Sequence, residues 1–162
     1  MEKIAFIQTG GTIDKDYPHT TKGWAFEFGE PAAKRILEKL NPSFEYEIIT
    51  AFQKDSLEIT DEDRMQLLEL IKSLPYQKFI ITHGTDTMKE TAETLGEIKE
   101  KIVVITGAMR PERFTNSDAA VNLGMAIGAV NVLETGVYIA MHGVLAKHDL
   151  IKRNMETGKY HL

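Results

Sequence analysis

Five short apolar, β-branched runs, at residues 4–7, 46–50, 78–82, 102–106 and 137–141, divide this chain at wide intervals. Each is too short for a helix and apolar at nearly every position rather than at alternate ones, the pattern of strands buried on both faces. The segments between them keep a helical period. Ala33, Ile36, Leu37 and Leu40 fall on one face, after Pro31 at a first helical turn and before Asn41-Pro42. Leu67, Leu68, Ile71 and Leu74 repeat that spacing behind the cap-like TDED at 60–63. Helix-forming sequence returns at 87–95 and at about 117–130. Strands alternating with helices predict a three-layer α/β/α domain around a mainly parallel, flavodoxin- or Rossmann-like sheet. The expected strand order is 2-1-3-4-5. At 162 residues the chain is expected to form one such domain, residues 1–162, with a real core.

Open parallel sheets bind ligands beyond the carboxyl ends of their strands, at the crevice where the strand order reverses. The segments after the five runs are QTGGT, AFQKDS, HGTDT, GAMRP and HGVLAKHDLIKRN, so small, hydroxylic and charged residues collect at one end. With order 2-1-3-4-5, strands 1 and 3 flank the switch point, and Thr12 and Thr85 would face each other. Gly10 and Gly11 allow a sharp turn and a close approach to ligand. Three meanings stay open for the first turn: a plain strand–helix turn, a phosphate cradle, or a loop presenting a threonine nucleophile. It is neither G-x-G-x-x-G nor a Walker loop, although it resembles the Thr/Gly phosphate loop of flavodoxins, which makes FMN the rival ligand.

The second turn moves the balance. Gly84 opens it, and Thr85 or Asp86 would lie near the cap of the next helix. A carboxylate here repels phosphate but suits a cation such as an α-ammonium, so Asp86 argues against FMN. A threonine hydroxyl needs a base or a polarising neighbour. Lys152, desolvated and oriented by Asp86, is one candidate, and Tyr17, on a loop that could fold over the site, is another. His83 is expected to support its turn. The histidines show no metal-binding spacing and no cofactor is expected. With no cysteine, thiol catalysis, disulfides and Cys-ligated zinc are excluded. Nineteen basic against 24 acidic residues give a net charge of −5, which disfavours nucleic acid and anionic membranes as partners. No run reaches membrane-spanning or signal-peptide length, and with the missing cysteines this leads to an expectation of a cytoplasmic protein.

With these residues identified, the chain resembles the N-terminal domain of the bacterial-type L-asparaginase/glutaminase family. TGGTI at 9–13 and HGTDTM at 83–88 resemble the two family signatures. DSLEITDED at 55–63, TGAMRP at 106–111, SDAAVNL at 117–123 and HDLIKRN at 148–154 follow in family order. The resemblance implies that Thr12 attacks a side-chain amide and forms an acyl-enzyme. It implies that Thr85 lies opposite, linked to Lys152 and Asp86, that Asp86 binds the α-ammonium, and that Ser56 binds the α-carboxylate. Tyr17 would be the mobile-loop tyrosine. Gly11, Asp55, Gly84 and Ala108 complete the implied substrate contacts, with asparagine or glutamine as substrate and no cofactor. Leu57 departs from the polar residue that members often carry beside the serine. Members also continue into a smaller second domain that lends an acidic residue across a dimer interface, whereas this sequence stops ten residues after Lys152. A homo-oligomer, dimer or tetramer, is therefore expected to cover the exposed apolar surface. An alternative is a non-catalytic module that binds an amino acid, or an amidase working with a partner chain. Gly23, Gly29 and Pro18 suit a moving 14–30 loop as well as a static one.

Overall fold

The computed structural model describes residues 2–19 and 25–162. All five apolar runs are strands of one sheet: β1 (Ile4–Gly10), β2 (Tyr46–Lys54), β3 (Lys78–Thr82), β4 (Ile102–Thr106) and β5 (Gly136–Met141). Their order is β2-β1-β3-β4-β5, all parallel, as the sequence predicts. A sixth strand, β6 (Val144–Lys147), runs antiparallel at the β5 edge. The sequence analysis, with five strands, does not include this one. His142 (φ 55°) and Gly143 (φ 77°) both adopt positive φ, which lets a two-residue turn fold the chain straight back.

Alternation along each strand feeds two cores. Ala5, Ile7, Phe79, Ile81, Val103, Ile105, Val137 and Ile139 point to one face, against Leu67, Leu68 and Ile71 of α2 (Asp61–Ser73) and Met88, Ala92 and Leu95 of α3 (Met88–Leu95). Ile4, Phe6, Ile80, Val104, Tyr138 and Ala140 point to the other. There they meet Ala33, Ile36 and Leu37 of α1 (Ala32–Leu40) and Leu123, Ala126 and Ile127 of α4 (Ala119–Val130). Each such buried side chain contributes about 1.5–3 kcal/mol, so this double burial is what selects the register. Leu40 is a departure from the expected stripe. It is exposed, because α1 ends at Asn41 in the left-handed conformation (φ 48°) with its N–H on the Leu37 carbonyl.

The placement of helices fixes the hand of the crossovers. The α2 and α3 units step in one direction across the sheet on one face, and α1 steps in the opposite direction on the other face, so these three share a hand. Helix α4 steps like α3 but lies on the face of α1. About 98% of crossovers are right-handed, which assigns the left hand to β4-α4-β5. The loop 107–118 makes that detour. Glu112 pins it to the first turn, its N–H on the Ile13 carbonyl (3.2 Å) and its carboxylate on Arg35 (2.6 Å).

Helix α2 begins with a full capping box: the Thr60 hydroxyl accepts the Asp63 N–H, and the Asp63 carboxylate accepts the Thr60 N–H. Lys101 closes the other end, donating to the carbonyls of Ile71, Leu74 and Tyr76. Thr60→Ala is expected to lower stability by about 1 kcal/mol in urea melts, with an unchanged m-value.

Candidate active site

The first turn is held by its glycines. Gly10 (φ 108°) and Gly11 (φ 82°) adopt a conformation that L side chains resist. A Cβ on Gly11 would lie 2.6 Å from the Gly84 Cα, and one on Gly84 would lie 2.7 Å from the Ser56 Cβ and Oγ. Three turns, after β1, β2 and β3, are thus in direct backbone contact. Thr12 starts a 3-10 turn to Asp14, and Ser56 starts another to Glu58. Around this contact lies a cleft of about 290 Å³, lined by Gly11 and Thr12, by the 55–58 turn and by Gly84, Thr85 and Asp86.

Hydrogen bonds join the second and third turns. The Asp86 N–H donates to Ser56 Oγ at 3.1 Å, and the Thr87 hydroxyl donates to the Ser56 carbonyl at 2.8 Å. Ser56 Oγ accepts, so its own proton stays available for a ligand carboxylate. Thr87, not Thr85 or Asp86, precedes α3, and its hydroxyl is spent on Ser56 rather than on the helix. Among the described residues no hydrogen bond engages the Thr12 or Thr85 hydroxyl.

His83 supports its turn, as the sequence predicts. It is fully buried, and burial holds its imidazole down at about 4, so it is neutral near pH 7. The Gly84 carbonyl accepts only, so Nδ1 carries the proton (2.7 Å) and Nε2 accepts the Thr91 hydroxyl (2.8 Å). Thr91 in turn accepts from Arg64 Nε at 3.0 Å. Each group in this chain has one role, and together they fix the peptide that carries Thr85.

Three sequence assignments fall elsewhere. Lys152 is exposed on β7 (Lys152–Arg153), and among the described residues its ammonium makes no hydrogen bond or ion pair. The neighbouring Arg153 points inward instead. It donates to the Asp86 carbonyl and to Asp86 Oδ1, both at 3.1 Å, and lies 5.5 Å from the Tyr160 ring centroid. Tyr160, on β8 (Tyr160–His161), donates its hydroxyl to the Thr85 carbonyl at 2.6 Å. The β7–β8 hairpin therefore clamps the third turn through Arg153 and Tyr160, which the sequence reading missed. In a two-residue strand, facing depends on the partner strand, and no periodicity reports it. Tyr17 is 60% exposed and packs on Phe26 and Phe114 rather than lining the cleft. Residues 20–24 of its loop, Gly23 among them, lie outside the described residues. Ala108 is buried in the α1–α4 core rather than in the cleft wall. Asp55 does line the cleft, paired with Lys15 at 2.7 Å. Among the described residues no group of three His, Asp or Glu side chains is placed to hold a metal.

Behind Thr12, Asp14 is fully buried. Its Oδ1 accepts the N–H of Ala32 at 2.7 Å, capping α1 from a distant loop, and among the described residues Oδ2 has no partner. Burial pushes the carboxyl up from 3.8 to about 6, against the opposing pull of the Ala32 N–H. The folded chain thus keeps a proton that the unfolded chain loses at lower pH, and stability from this group declines as pH rises from about 4 to 6. Asp14→Asn is expected to raise stability by roughly 1–3 kcal/mol at about pH 8, with the gain vanishing below about pH 4 in paired denaturant melts.

The chain is similar in sequence and fold to known proteins. The asparaginase N-terminal family matches residues 3–160. The glutaminase-asparaginase of Pseudomonas aeruginosa is 35% identical over 94% of this chain and 46% of its own length. The probable periplasmic L-asparaginase of Haemophilus influenzae is 31% identical over 94% and 46%. The crystal structure of the probable cytoplasmic L-asparaginase from Campylobacter jejuni superposes with a TM-score of 0.79 at 27% identity, over 94% of this chain and 50% of that one. This chain spans about half the length of these relatives. It belongs to the asparaginase family, through the family's N-terminal domain.

Proposed function

We propose that this domain, residues 1–162, hydrolyses the side-chain amide of a small amino-acid amide, asparagine or glutamine, to the acid and ammonia, with Thr12 as nucleophile. The observation that carries this reading is the Gly11–Gly84–Ser56 contact, which gathers Thr12, Thr85, Asp86 and Ser56 around one cleft. Thr12 Oγ forms a bond to the amide carbon, the C–N bond breaks, and the Thr12 proton leaves with the nitrogen as ammonia. Water then cleaves the ester, its hydroxyl going to the acyl group and its proton to Thr12. Backbone N–H groups of the two glycine turns suit the tetrahedral oxyanion. Ser56 suits the α-carboxylate through its free hydroxyl proton.

The cation beside Asp86 in this proposal is Arg153, and Lys152 has no part in it. A guanidinium does not accept protons near neutral pH, so Arg153 acts by charge and position. That same observation favours the second reading, an amino-acid-binding module without turnover. Ammonia release from asparagine, glutamine and simple amides separates the two. Hydrolysis is expected, with Thr12→Ala lowering it at least about 10³-fold. Binding of aspartate with no ammonia from any amide would leave the module reading standing.

The assembly in our reading is a homo-oligomer, dimer or tetramer. Helix α4 contains no charged residue, and its outward positions Ala120, Val121, Gly124 and Gly128 are exposed. No helix among the described residues is long and apolar enough to cross a membrane. We place the protein in the cytoplasm on its cysteine-free composition. Light scattering is expected to give a mass of at least two chains, about 36 kDa, twice the 18.2 kDa of one chain. A single-chain mass that persists at high protein concentration overturns the oligomer.

A further inference from the structure

A second hollow, of about 360 Å³, shares no lining residue with the cleft. Met109 and Arg110 line it from the turn after β4, His142 from the turn after β5, and Asp118 from the start of α4. Thr157 and Lys159 line it from the β7–β8 hairpin. Its one carboxylate is already engaged. Asp118 accepts the N–H groups of Met109 at 2.9 Å and Arg110 at 3.1 Å, and the Asn122 amide at 3.0 Å. The cations are not engaged. Among the described residues the Lys159 ammonium has no hydrogen bond or ion pair. The Arg110 guanidinium has no ion pair there either, and its one hydrogen bond, to the Asn116 carbonyl, is long at 3.4 Å.

His142 adds a neutral donor. Its Nδ1 accepts the Tyr160 N–H at 3.1 Å, so the ring proton sits on Nε2. Burial, together with the charges of Lys159 and Arg153 and against that of Asp118, holds its pKa below the usual 6.5, so the ring is neutral near pH 7. The Thr157 hydroxyl accepts the Lys159 N–H at 3.3 Å and keeps its own proton for a ligand. We propose that this hollow is a second ligand site, separate from the amide cleft, that takes a small oxyanion of the phosphate class, inorganic phosphate or a small phosphate monoester. Two uncompensated cations and two neutral donors exceed what a single carboxylate can accept, and they match a group with nearly two charges and three acceptor oxygens. The planar fork of Arg110 suits two of those oxygens, and Lys159 supplies the second charge. Met109, 46% exposed, gives the hollow an apolar side for the organic part of a monoester. The volume is at the small end for ligand sites, which favours such an anion over a nucleotide. Its occupant bridges the turn after β4 to the hairpin that clamps the Thr85 turn.

Inorganic phosphate is the probe. Calorimetry in low-salt, phosphate-free buffer is expected to show a single phosphate per chain, bound at least about tenfold more tightly than nitrate, a planar monoanion. Arg110→Gln and Lys159→Gln are each expected to weaken phosphate at least about tenfold, as loss of a charge-assisted hydrogen bond does. Arg110→Lys is expected to recover part of that loss, which a collapsed fold would not allow. Lys147→Gln, which removes a cation outside the hollow, and Ser56→Ala, which alters the cleft, are expected to leave phosphate binding unchanged. The proposal is overturned if phosphate does not bind, if nitrate binds equally, or if either Gln variant at Arg110 or Lys159 keeps full affinity. It is equally overturned if Arg110→Lys recovers nothing, or if Lys147→Gln or Ser56→Ala weakens binding. The hydrolase reading is decided separately, by ammonia release.

Discussion

The close packing of Gly11 against Gly84 governs the rest of this site. It exists because β1 and β3 are adjacent and in register, so that the turns leaving them emerge side by side. A side chain at either glycine would force the turns apart, and Thr12 and Thr85 would no longer share a cleft. Ser56 joins because β2 lies on the other side of β1 and passes the bulge where Gly10 pairs with Lys54. The switch point of the sheet is therefore a three-way backbone contact as well as a crevice between strands. Conformational strain at Gly10 and Gly11 is absorbed by residues without a Cβ, which makes this geometry affordable.

Two distant segments then brace the contact from opposite sides. The left-handed crossover sends loop 107–118 past the first turn, where Glu112 binds the Ile13 carbonyl and Arg113 binds Asp16. The β7–β8 hairpin reaches the third turn through Arg153 and Tyr160. Burial pushes the Tyr160 hydroxyl up to about 12, so it stays a proton donor to the Thr85 carbonyl throughout the ordinary pH range. From within, the His83–Thr91–Arg64 chain holds the Gly84 carbonyl. Short side-chain hydrogen bonds of this kind each contribute about 1 kcal/mol, but here their greater effect is to leave the turn a single arrangement.

Much of this was legible in the residues. Five apolar runs gave the strands and their order, because burial on both faces leaves an unmistakable composition. The glycine-bounded threonines gave the paired turns, because close backbone approach requires glycine. What was not legible depends on partners far away in sequence. Lys152 and Arg153 are adjacent cations, and only pairing with Tyr160 and His161 decides which one faces the site. Tyr17 reads as a site residue by its distance from Thr12, yet its ring is claimed by Phe26 and Phe114. Asp14 looks like an ordinary loop acid until α1 is seen to begin beside it.

The exchange of Lys152 for Arg153 changes the chemistry as well as the geometry. A lysine beside Asp86 could lose its proton after desolvation and act as a base; a guanidinium remains charged. The fixed positive charge next to Asp86 removes much of that carboxylate's attraction for an ammonium, while leaving it useful as an anchor for the Thr85 turn. The turn depends on the largely enclosed guanidinium of Arg153, which holds both the Asp86 carbonyl and its carboxylate. Asp55 is held by Lys15 in the same way, so two of the carboxylates lining the cleft are already matched by fixed cations before any ligand arrives.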